Sequence, residues 1–186
     1  MSDRNTVIRS MHDIGLAAWF GGSLMGAIGL NGAANTVQDP TERTAIASAG
    51  WARWAPVNAA AIGIHAIGGI GLILANKGRV AGQHGVATNT IVKAALTGIA
   101  AASTAYSGYQ GKVLADAGRV AADGAVIPGP NTPDDAAAAQ QQLRIAQWVT
   151  PAVTAALIVL AAQQGEQQRA GQVLTGILSR ARSALS

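Results

Sequence analysis

Cysteine is absent from the 186 residues, which excludes disulfides, thiolate metal sites and a cysteine nucleophile. Charge is scarce as well: Asp, Glu, Lys and Arg supply 12% of the chain, against about a quarter in an ordinary soluble domain. A soluble alanine-rich bundle would carry a charge every turn or two on its outer faces, and long stretches here carry none. The net charge of +4 is not gathered into a compact basic patch with interleaved aromatics, so nucleic acid is not predicted as a partner.

What is present is apolar sequence in four runs, at residues 14–34, 55–75, 88–109 and 146–162. A hydrocarbon core about 30 Å thick is crossed by about 20 helical residues, which three of the runs supply and the fourth approaches. The runs are continuous and do not alternate, so helices and not barrel strands are predicted. The fold class expected is therefore an all-α membrane protein, a four-transmembrane-helix bundle of two helical hairpins, with residues 1–165 forming the membrane domain and 166–186 a tail. Lys93 is the one formal charge inside the runs, close enough to the start of the third to reach the headgroups. Arg4 and Arg9 before the first run resemble the start of a secretion signal. The run is longer than a signal core and Asp13 interrupts its approach, so an uncleaved helix is expected.

Basic residues set the orientation. Arg4, Arg9, Lys77, Arg79, Arg169, Arg180 and Arg182 outnumber Arg43, Arg53, Lys112, Arg119 and Arg144 on the opposite side, which predicts both termini inside, in a bacterial plasma membrane. Trp51, Arg53, Trp54 and Pro56 precede the second span, and Arg144, Trp148 and Pro151 flank the fourth. Both sets read as interfacial anchors, or as traces of a repeated hairpin.

The connection between the third and fourth runs carries helical periodicity in Val113, Leu114, Ala117, Val120 and Ala121, which predicts a third helix extended outward to about Ala122. Pro128, Gly129 and Pro130 break it. Thr132, Pro133, Asp134 and Asp135 then give a helix start, so the fourth helix is also predicted to have an outer extension. Leu174, Ile177, Leu178, Ala181 and Leu185 share one face of an expected amphipathic C-terminal helix on the inner leaflet.

Small residues predict helix contacts, since lipid offers no hydrophobic drive and close approach must supply the attraction. Gly22 and Gly26, with Ala18, form such a face on the first helix, and Ala94, Gly98 and Ala102 on the third. Among polar residues, Asn31 and Asn58 have matching depth and are expected to bond across the first hairpin. His65 stands near the middle of the second run, where an ionisable group is a functional candidate. The expected role of His65 is a neutral, hydrogen-bonded bundle histidine. The competing roles are a haem or metal ligand, or a proton-handling group. His12 and His84 are placed near the inner surface, away from a haem shared with His65. Met25, at the depth of His65, offers a soft partner for copper, but on a straight helix it competes with Asn31 for the facing position. Ser10 is read as a helix-start cap for the turn containing Asp13. No Ser, His and acid share a depth, so no catalytic set, cofactor or metal is predicted.

His12, Leu16, Trp19, Phe20, Gly21 and Gly22, followed by a polar stretch and then Trp54, Pro56 and Asn58, resemble the opening of two small four-span bacterial families. These are the copper-resistance D-like domain and the transmembrane protein 205-like (DUF4149) family. The resemblance covers the first third of the chain. It implies a four-helix bundle and, for the first family, copper handling. The function expected from the whole sequence is that of a non-enzymatic membrane protein, an accessory subunit or a small homo-oligomer whose partners are the lipid bilayer and another membrane protein or a second copy. The alternatives are a small-solute or metal-ion transporter with its site near His65, and a subunit that anchors a cofactor.

Overall fold

The computed structural model describes residues 5–77 and 84–167, and the expected amphipathic C-terminal helix lies outside them. Helix α1 (Thr6–Met25) passes through a π-helical segment (Gly26–Leu30) into α2 (Asn31–Asn35). Helices α3 (Arg43–Ala75), α4 (His84–Asp116) and α5 (Asp134–Gln167) follow, with a two-stranded hairpin, β1 (Ala122–Gly124) and β2 (Ile127–Pro128), between the last two. Helix α1 packs along α3, and α4 along α5. The two pairs join chiefly through α1 against α5, which makes an all-α bundle of two hairpins.

Three helical stretches, Thr6–Asn35, Arg43–Ala75 and Asp134–Gln163, are long and apolar enough to cross a membrane. Helix α4 is as long as α3, at 33 residues, but its apolar run is diluted by Asn89, Lys93, Ser103, Thr104 and Ser107. At 1.5 Å per residue α3 is about 50 Å long, well beyond the thickness of a hydrocarbon core. Pro56 and Pro151 therefore stand inside continuous helices and do not start them.

Glycine decides how α1 meets α3. A Cβ at Gly68 would lie 2.4 Å from the His12 amide nitrogen, and one at Gly15 would lie 2.5 Å from the Ala61 carbonyl oxygen, so the two backbones touch. Farther out, Cβ atoms at Gly22 and Gly26 would overlap the indoles of Trp54 and Trp51. The expected small face of α1 thus receives two tryptophans as knobs, and these rings point into the bundle, not to an outer interface. The corresponding face of α4 does not pack: Ala94, Gly98 and Ala102 are exposed, and a Cβ on Gly98 would meet nothing within 4 Å.

The outer connection departs from the expected helix. Gly118 adopts φ +71°, a left-handed conformation that ends α4, and the chain then turns into the β-hairpin where helix to Ala122 was predicted. The second helix start falls where predicted, with Asp134 and Asp135 in the first turn of α5. The hairpin caps the bundle. Asn35 Oδ1 accepts the Ala125 amide at 2.7 Å, and Gln140 Nε2 donates to the Gly124 carbonyl at 2.9 Å. Arg43 donates through Nε to the Val37 carbonyl and through one terminal nitrogen to those of Ala122 and Asp123. Arg119 pairs with Glu42 at 2.6 Å. Leu114, Val120, Ala136 and Ala139 fill one small core beneath the cap, and Ala34, Ala47 and Ala125 another. Beside it, the Thr41 hydroxyl and then its amide donate to the Asp39 carboxylate, holding that carboxyl below its usual range.

Gly68→Val is expected to destabilise the bundle by about 1–3 kcal/mol or more, because its side chain meets backbone that cannot yield. Gly63→Val, where a Cβ meets open space, is the matched control. Thermal unfolding in detergent that ranks the two equally would contradict the backbone contact.

Candidate functional site

The polar side chains of the bundle lie in three tiers, each anchored on the helical stretch that runs from α1 through α2. The outer tier centres on Asn31, which is 4% exposed. Its Nδ2 donates to Gln147 Oε1 at 2.9 Å, and its Oδ1 accepts from Trp51 Nε1 at 3.0 Å, so both ends of the amide are satisfied across three helical segments. The expected bond from Asn31 to Asn58 does not form. Asn58 Oδ1 is buried without a partner, as is Trp54 Nε1 one turn earlier on α3. The cause lies in the π segment, which adds a residue to the turn before Asn31 and changes the angular register assumed for a straight helix.

In the middle tier Trp19, fully buried, donates from Nε1 to Thr104 Oγ1 at 3.0 Å. Thr104 lies 3.4 Å from the Thr150 hydroxyl, which in turn donates to Ser103 at 3.1 Å. Thr154 and Ser23 return their hydroxyl hydrogens to carbonyls of their own helices. This chain of bonds links α1, α4 and α5. An indole nitrogen donates and cannot accept, so the chain ends at Trp19 as far as proton relay is concerned.

The inner tier holds the histidines. His65 is 3% exposed, and its Nδ1 lies 3.0 Å from the backbone carbonyl of His12. A carbonyl only accepts, so this nitrogen carries the proton. The ring of His12 lies with its centre 4.3 Å from that of His65, tilted by 40°, and its Nδ1 donates to Asp13 Oδ1 at 2.8 Å. Trp19 closes the other side of His65 edge-on, at 6.1 Å between ring centres. His12 therefore does not stand apart near the inner surface: the close crossing at Gly15 and Gly68 brings it to the depth of His65. Ser10 falls inside α1, which starts at Thr6, so Asp13 is a partner of His12 and not part of a cap. Lys93 lies within electrostatic reach of both Asp13 and Arg9.

Met25 points outward, 65% exposed, and is not brought to His65. Among the described residues no three metal-ligating His, Asp or Glu side chains converge. Gly22, Gly26, Asn31 and His65 all face the α1–α3 contact or its margin, whereas Met25 does not. Sequence reasoning did not find Trp19, Thr104 and Gln147 as the partners that join the hairpins. The signal was present, since Gln147, Thr150 and Thr154 recur at helical spacing along one face of the fourth run. Compared with protein families, curated proteins and solved structures, the chain matches none.

The double variant Asn31→Ala with Gln147→Ala is expected to show a coupling of about 0.6–2 kcal/mol relative to its single variants. Asn58→Ala combined with Asn31→Ala is expected to be additive. Unfolding measurements on both cycles check the pairing.

Proposed function

We propose that this chain is a non-enzymatic integral membrane protein, a four-span bundle acting as an accessory or structural subunit of a membrane complex or as a small homo-oligomer. One observation carries the reading: the bundle is inside-out relative to a water-soluble one. On α3 the buried positions facing α1 are Ala61, His65 and Gly68, while Ile64, Ile67, Ile70, Ile73 and Leu74 face outward. Ile14, Ile28, Ile91, Ile99 and Val159 do the same on the other helices, and the interior holds Ser23, Asn31, Thr150 and Thr154. In water this arrangement would expose apolar area and bury polar groups at once. In lipid it places each group where its free energy is lowest.

Four spans with both chain termini cytoplasmic are part of the proposal. In the sequence, Arg4, Arg9, Lys77, Arg79, Arg169, Arg180 and Arg182 fall on the side of the termini and outnumber Arg43, Arg53, Lys112, Arg119 and Arg144 on the side of the hairpin cap. Helix α4 is included as a span because it pairs with α5 along its length and contributes Ser103 and Thr104 to the interior, so its polar content faces protein. The opening segment's likeness to the copper-resistance D-like and transmembrane protein 205-like families supports the same architecture. The middle tier, whose bonds join α1, α4 and α5, suits a structural role.

The natural absence of cysteine makes the topology directly testable with single introduced thiols. An impermeant maleimide is expected to label Asn131→Cys from outside intact cells, and Ser186→Cys only after permeabilisation. Equal labelling of both from one side would overturn the topology, and recovery of the chain in the soluble fraction would overturn the membrane reading.

A further inference from the structure

We propose that His12 and His65 form a two-imidazole site for one late first-row divalent cation, of the Zn²⁺ or Ni²⁺ type, which staples α1 to α3. Each imidazole already has the hydrogen bonding of a metal ligand. His12 donates its Nδ1 proton to the Asp13 carboxylate, and His65 donates its own to a backbone carbonyl. These are the two kinds of acceptor that orient ligating histidines and raise their basicity. In both rings this leaves Nε2 with the lone pair, and neither Nε2 has a hydrogen-bond partner among the described residues.

The ring separation selects the geometry. Two imidazoles on opposite sides of one metal would hold their centres about 6 Å apart, whereas two on adjacent positions, with bonds of about 2.0 Å, hold them about 4.5 Å apart at a right angle and about 5 Å apart at a tetrahedral angle. The observed separation of 4.3 Å fits the second arrangement and excludes a haem held between the rings. Gly69 leaves room beside the Nε2 edge of His12, where its missing Cβ would lie 3.5 Å from Cδ2. The Asp13 side chain, 55% exposed, marks the route of access, while His12 and His65 are buried. Lys93 lies within electrostatic reach of Asp13 and offsets part of its charge, so a hard cation such as Mg²⁺ or Ca²⁺ gains little there. Affinity must come from imidazole donation, which favours the nitrogen-seeking metals. The remaining coordination positions are open to water.

The test uses the full-length, untagged chain in detergent, titrated with ZnCl₂ or NiCl₂ at neutral pH. Binding is followed by calorimetry and by the thermal unfolding midpoint. One ion per chain is expected, with a rise in the midpoint, and with weakening at acid pH as the imidazoles take up protons. His12→Gln and His65→Gln should each abolish binding, and Asp13→Asn should weaken it about tenfold or more. Each variant's cooperative unfolding is checked first, and His84→Gln serves as a folded control that should bind like the parent. No saturable binding up to millimolar ion, or binding that survives His65→Gln, would overturn the proposal, as would loss of binding in His84→Gln alone.

Discussion

The contact of two backbones at Gly15 and Gly68 sets the rest of the structure. Helices α1 and α3 cross with no side chain between them, and every other pairing along their length follows from that spacing. Toward the outer end, the same spacing leaves only indole-thick gaps opposite Gly22 and Gly26, which Trp54 and Trp51 fill. At the crossing itself it stacks His12 on His65. Dispersion falls off steeply with distance, so in the proposed bilayer setting, where expelling water contributes nothing, this closeness holds the helix pair.

Side-chain polarity is arranged around the same helix. The continuous helical stretch from α1 through α2 supplies one member of each interior polar tier, His12, Trp19 and Asn31, and each reaches a different set of neighbours. The second hairpin is joined to the first by hydrogen bonds that Thr104 and Gln147 accept from Trp19 and Asn31, and Thr150 ties Thr104 to the rest of its own hairpin. In the proposed bilayer setting such bonds are individually modest, but their loss leaves polar groups without water to turn to. The π segment belongs to this arrangement, because it is what aims Asn31 at Trp51 and Gln147 at the same time.

Much of the architecture was legible in the chain. The long helices, their order, the inward Gly22 and Gly26 and the start of α5 at Asp134 all follow from hydropathy, small-residue spacing and helix-start chemistry. What was not legible depended on angles that sequence does not carry. The depth of His12 was judged from its distance to the start of an apolar run, but α1 begins at Thr6, so the ring enters the bundle. The pairing of Asn31 was judged at 100° per residue, which a π segment defeats. The end of α4 was carried past Gly118 because periodic apolar residues continued, although a glycine at that point was a local stop signal. Trp51 and Trp54 read as surface anchors because tryptophan favours interfaces, and only the glycines opposite reveal them as packing knobs.

The hairpin cap also has a consequence for biogenesis. Asn35 and Arg43 belong to the first hairpin, yet their partners at Ala122, Asp123 and Ala125 are synthesised some 80–90 residues later. Since the chain emerges from its N-terminus, the first two helices must wait with these groups open to solvent until the second pair has arrived. The cap thus closes only once the chain has been made well into its second hairpin, so its closure reports that the two hairpins have met.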